Sequence, residues 1–138
     1  MPASRTLILS TGVVLLFSFF VSACKDDNPL TGESPSNVIF PASGISYGRH
    51  MQPLFDQTCA LVGCHDDGQH QSALKLTNYG NLMFNSLPVV IRSKPDESVL
   101  VWRVEGRVGQ RMPPYGNPLN QNQINGIRTW VAEGAINN

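Results

Sequence analysis

Two thiols and an imidazole stand within seven residues, Cys59-Ala60-Leu61-Val62-Gly63-Cys64-His65, and no other feature limits so tightly what this chain can fold around. The remainder offers few alternatives. Its 138 residues include 12 glycines and 10 prolines, and aromatic side chains make up 8%. A single domain of this length buries a modest core, and one so rich in loop needs a cross-link, a metal or a large cofactor to hold it. Ten basic and ten acidic side chains cancel. That balance gives no electrostatic reason to expect nucleic acid or an anionic membrane surface as partner.

The first 23 residues read as an export signal rather than as part of the fold. Arg5 supplies a short positive start, and Leu7 to Val21 is almost wholly apolar. About fifteen residues is short for a spanning helix, which needs roughly twenty. The run closes on Val21-Ser22-Ala23-Cys24, which resembles the lipobox of bacterial lipoproteins. In that reading Cys24 takes a diacylglycerol and becomes the first residue of the mature chain. The alternative is a plain secretory signal with an incidental cysteine. Loss of Arg5 with the signal leaves nine positive against ten negative groups. The mature protein is expected to be exported and lipid-anchored to a bacterial membrane, on its periplasmic or outer face. Of three cysteines, Cys59 and Cys64 then remain to pair with each other or to hold something else.

Residues 24–44, rich in Asp, Asn, Pro, Ser and Gly, read as a flexible tether, in which Val38-Ile39-Phe40 is a lone apolar triplet able to dock on the domain. Residues 45–138 form the domain. Ser46 is placed to cap a helix that turns Tyr47, Met51, Leu54 and Phe55 inward; Pro53 confines it to a short or kinked element running into Cys59. A second helix is expected over Thr77 to Phe84, with Thr77 as cap, Leu82 and Met83 inward, and Gly80 weakening it. Pro95-Asp96-Glu97-Ser98 opens a third, ending at Gly106. The clearest is the last: Ile124, Ile127, Trp130 and Val131 share one face, Asn120 or Asn122 caps the start, and Gly134 ends it. No segment alternates as a strand would, so the expected fold is mostly α, with three to five helices and long loops.

Covalent haem needs two thiols to add across its vinyl groups and an imidazole beneath the iron, and a His directly after the second Cys provides this. The usual spacing places two residues between the cysteines; here there are four. The extra pair must loop outward, a bend that Gly63 eases. Other readings of the same residues are a Cys59–Cys64 disulfide, a zinc site completed by His65 and His70, and unligated buried thiols. A haem held by His65 also wants a second axial ligand, and a thioether suits an electron carrier. Met112 lies in Gln110-Arg111-Met112-Pro113-Pro114-Tyr115-Gly116, a polar, proline-stiffened loop where an apolar side chain has no packing purpose. Met51 and Met83, on apolar helix faces, read as core. Arg107, Arg111 and Tyr115 flank the Met112 loop as propionate contacts or as exposed loop residues. Phe55 and Trp130 read as core where the last helix crosses the first, with an edge toward the haem. His50 and His70 read as surface residues, His50 being the substitute ligand should Met112 not serve.

Taken in order, these segments resemble a family. Pro53-Leu54-Phe55 followed by Cys64-His65, Leu74-Lys75-Leu76-Thr77-Asn78-Tyr79, Pro95-Asp96-Glu97-Ser98-Val99-Leu100, Met112-Pro113-Pro114, and Ile127 to Trp130-Val131 with Gly134-Ala135 are similar to the corresponding segments of planctomycete-type cytochrome c domains, across about residues 47 to 135. The resemblance implies a small class I-like cytochrome c fold around one covalent haem c, with His65 proximal and Met112 distal. The departure is the four-residue gap, which bears on Cys59 more than on Cys64 and His65.

With both axial positions filled by protein there is no place for a small-molecule substrate, so the expected activity is outer-sphere transfer of single electrons, not catalysis. The expected partner is an exported redox protein or membrane oxidoreductase complex. Two rivals stand beside this. The domain is a fixed haem subunit of a larger respiratory or photosynthetic complex, or it is a haem sensor or enzyme if Met112 is labile.

Overall fold

The computed structural model describes residues 36–68, 73–115 and 118–138. The signal and lipidation readings at 1–24, most of the tether, and His70 lie outside the described residues. All regular structure among the described residues is helical, with no strand. A π-helical turn, Tyr47–Met51, runs into α1 (Gln52–Thr58); α2 (Tyr79–Met83), a 3-10 turn (Pro95–Glu97), α3 (Val99–Glu105) and α4 (Gln121–Ala132) follow. None of these helices is long and apolar enough to cross a membrane.

The π-turn is the physical answer to Pro53. Ser46 caps it, its hydroxyl accepting from the Arg49 N–H at 3.3 Å. Backbone bonds then skip five residues, Met51 N–H to Ser46 O and Gln52 N–H to Tyr47 O. Pro53 thereby falls in the first turn of α1, where a missing N–H leaves no intrahelical bond broken. One expected cap is corrected, and the third helix opens without one. The α2 cap is Asn78, whose side chain accepts from Asn81 N–H at 2.9 Å; Thr77 instead accepts from the Asn81 amide. Ser98 occupies the cap position of α3 without capping it. Its hydroxyl is fully buried and accepts from Ile91 N–H, with the Ile91 and Lys94 carbonyls in reach of its proton.

The longest helix, α4, organises the core. Asn120 and Gln123 form a reciprocal capping box, and Ile124, Ile127, Trp130 and Val131 are buried at the expected spacing. Tyr47 lies between the two helices' large rings, 6.5 Å from Phe55 and 5.6 Å from Trp130, and meets Tyr79 edge-on at 5.0 Å. The packed region reaches back to Ser36, not merely to Ile45. Phe40 is buried against Gly126, where an added Cβ would lie 2.1 Å from its ring. Asn122 reads the Phe40 backbone on both sides, and the buried Gln123 amide donates to the Ser36 carbonyl. Of the apolar triplet, Phe40 docks while Ile39 stays exposed. Glu133, after α4, closes the frame by accepting from the Gly44 and Ile45 N–H groups at 2.7 and 2.8 Å.

Candidate functional site

Helix α1 delivers the chain directly into the thiol run. Cys59 is its C-cap and donates its N–H to Phe55 O. The chain then turns on itself: Cys64 N–H meets Leu61 O at 2.9 Å, and His65 N–H returns to Cys59 O at 3.1 Å. Gly63, at φ +80°, takes the left-handed step that other residues adopt at a cost. Leu61 and Val62 are pushed outward, 45% and 89% exposed. The four-residue gap is thus absorbed as a surface bulge, and Cys64-His65 is brought back beside the end of α1.

His65 is fixed through both backbone and ring. Its carbonyl accepts from Leu76 N–H at 2.9 Å, and its Nδ1 lies 2.9 Å from the Leu74 carbonyl. A carbonyl only accepts, so Nδ1 is the donor in this bond. That is how ligating imidazoles are usually oriented and made more basic. Leu76 is buried in the core, so the acceptor strand is anchored. Cys59 and Cys64 are both free thiols, half-buried. Burial pushes the Cys59 thiol up to about 11, with a contribution from neighbouring Cys64 and an opposing one from the Thr58 hydroxyl. Asp66 Oδ1 is buried with no hydrogen-bond partner. Sequence reading passed over this acceptor, and its adjacency to His65 is the only signal that marks it.

Met112 is half-buried and stands apart from the apolar core, whereas Met51 is fully buried and Met83 packs against the core. Its N–H donates to Arg103 O at 3.0 Å, tying the loop to the end of α3. The flanking residues divide. Arg107 is engaged by Glu105 at 2.6 Å and Asp96 at 3.6 Å and sits over the Trp102 ring. Arg111 donates from Nε to Val104 O, and Tyr115 is exposed. Phe55 and Trp130 are wholly buried, the indole N–H donating to Ile136 O. His50 is half-buried and accepts from Ser46 N–H on Nδ1.

The donor set fits haem c on the chemistry of its residues. Two uncrosslinked thiols precede an imidazole held at Nδ1, and a thioether side chain lies outside the core. Leu61 and Val62 between the thiols, Val108 and Tyr115 in the segment that carries Met112, and Phe84 and Leu87 after α2 are all exposed. Among the described residues, which do not include His70, no three His, Cys, Asp or Glu side chains gather as a metal-binding group.

A small domain, helical and without strand among its described residues, is consistent with a cytochrome-like α fold. Residues 62–116 match the family described as planctomycete cytochrome C, which supports a planctomycete-type cytochrome c domain over that segment. The matched segment holds Cys64, His65 and Met112, and begins after Cys59. No curated protein and no solved structure matches the chain. Similarity to a cytochrome c family suggests covalently bound haem c and an electron-transfer role.

Proposed function

We propose that the chain is a monohaem c-type cytochrome that passes single electrons between exported redox partners at a membrane surface, held there by lipid on Cys24. In this reading Cys64 and Cys59 carry the thioethers, His65 is the proximal ligand and Met112 the distal one. The observation that carries the reading is the His65 ring, directly after Cys64, whose Nδ1 is held 2.9 Å from the Leu74 carbonyl, the kind of hydrogen bond that orients a ligating imidazole. Bound, the haem supplies a one-electron couple. The chain's own residues orient the imidazole through the Leu74 carbonyl, and with His65 and Met112 both holding the iron a small-molecule substrate would find no site on it, while a thioether ligand would raise the reduction potential. Arg111 and Tyr115, with Arg107 if it leaves its carboxylates, are the propionate contacts in this reading. A tether anchored at Cys24 confines the search for partners to the membrane plane, and such encounters use small, weak contacts.

The test is a pyridine haemochrome spectrum with an intact mass on protein purified from its source. One haem's added mass on the polypeptide is expected, with a two-thioether spectrum and acyl chains on the N-terminal Cys24. A polypeptide without haem sinks the reading. A one-thioether spectrum removes Cys59 and keeps Cys64 and His65.

A further inference from the structure

The loop that carries Met112 is gripped at several points by the C-terminal end of α3, and one side chain holds its middle. Arg103, in the last turn of α3, accepts the Met112 N–H on its own carbonyl at 3.0 Å and donates from Nη1 to Gln110 O at 3.3 Å. Its guanidinium lies flat against Gly109: a Cβ there would stand 2.6 Å from Nη1 and 3.2 Å from Cζ. Gly109 also takes φ +55°, so the loop bends around the guanidinium at the one residue that permits both the turn and the approach. On either side, Arg107 N–H donates to Trp102 O at 2.8 Å and Arg111 Nε to Val104 O at 3.0 Å. The Met112 loop thus supplies donors to the Trp102, Arg103 and Val104 carbonyls at the end of α3, the first two of which also accept from the Gly106 N–H at its cap.

We infer that Arg103 is a positioning residue, setting how firmly the Met112 side chain is offered as a ligand. The inference rests on the reading of Met112 as distal ligand. A thioether is a weak ligand, and its occupancy of the iron depends on how small a share of the time the loop spends displaced. Any exogenous ligand binds in proportion to that share, so loosening the loop tightens the apparent affinity for the competitor.

The experiment uses the haem-loaded full chain with imidazole as competitor. Loss of the red Met–iron charge-transfer band of the oxidised protein is followed, alongside amide exchange at Met112. Arg103→Gln removes the bond to Gln110, and Gly109→Ala leaves the arginine in place but denies it its seat. Both are expected to bind imidazole about tenfold more tightly and to lose protection at the Met112 amide. Asn120→Ala, which weakens the α4 cap without removing any bond between the loop and α3, controls for general destabilisation and should match the unaltered protein in imidazole affinity. If haem is attached and the band is present, but both loop variants titrate like Asn120→Ala, the inference is overturned and the functional reading stands. Attached haem with no such band overturns the inference through Met112 itself. A chain carrying no haem overturns the functional reading, and the inference with it.

Discussion

Gly126 shows how much a single hydrogen atom decides in this domain. An alanine there would ordinarily favour the helix by about 1 kcal/mol. Its Cβ, however, would stand 2.1 Å from a Phe40 ring carbon and 2.6 Å from the Phe40 Cβ. Overpacking of that kind costs about 1–3 kcal/mol, occasionally more, and a contact so close to a rigid ring belongs at the upper end. Gly126→Ala should therefore lose roughly 2 kcal/mol in urea unfolding, by the balance of those two effects. Combining it with Phe40→Ala should lose less than the sum of the single changes. Additive losses would show that Phe40 is not seated where α4 offers its glycine. That the triplet Val38-Ile39-Phe40 can dock was legible in its isolated apolar character, but which residue seats, and where, was not: the triplet has no periodicity, and a glycine in mid-helix reads as weakness, not as a socket.

Among the elements, the ends of the helices separate what local sequence determines from what tertiary contacts override. The α4 start was readable because Asn120 and Gln123 satisfy each other within four residues, and nothing nearby competes. The α3 start carries an equally good signal in Ser98, yet its hydroxyl turns to Ile91 and Lys94, because folding brings a segment with its own unsatisfied groups within reach. The two should respond differently to truncation. Asn120→Ala removes a cap and should cost about 1 kcal/mol. Ser98→Ala strips a buried hydroxyl from the Ile91 N–H and should cost about 1–3 kcal/mol, with faster amide exchange at Ile91. Equal exchange at Ile91 in both variants would contradict this assignment. Likewise Pro53 announces a break after Ser46, but the five-residue skip that resolves it depends on Tyr47 and Met51 both being drawn into the core.

For the whole molecule, the half that the family match covers carries the plainer local signals. Cys64-His65 and Met112 are chemical signals that survive any uncertainty about packing, and the matched family segment spans all three. The other half depends on long-range closure that no local pattern encodes: Glu133 on Gly44 and Ile45, and the ion pairs that join the 3-10 turn, α3 and α4. In that cluster Arg128 holds Asp96 at 2.6 Å and Glu105 at 3.2 Å. The Arg128 hydrogen bond, helped by the charges of Arg128 and Arg107 and opposed by slight desolvation, keeps the Asp96 carboxyl below its usual range. A carboxylate whose folded pKa is depressed adds stability that is full above its unfolded value, about 3.9, and is lost as pH falls through the folded one. Acid unfolding of Asp96→Asn should accordingly be less steep below about pH 4 than that of the unaltered chain. The group is exposed, so the difference should shrink as salt is raised. An identical acid limb in the variant would remove Asp96 from the account.

The outward bulge at Leu61 and Val62 has a further use. Both residues are exposed on a short turn between the two thiols, which makes that turn a natural point for a protease that cleaves after leucine. A chain cut there and then denatured falls into two pieces unless something bridges the break. Two thioethers to one porphyrin would be such a bridge, and the pieces would migrate as one coloured species; attachment through Cys64 alone would leave the colour on the larger, C-terminal fragment. The stretched spacing, which made Cys59 the less certain thiol, thus supplies the site at which its bond to the cofactor can be read from a gel.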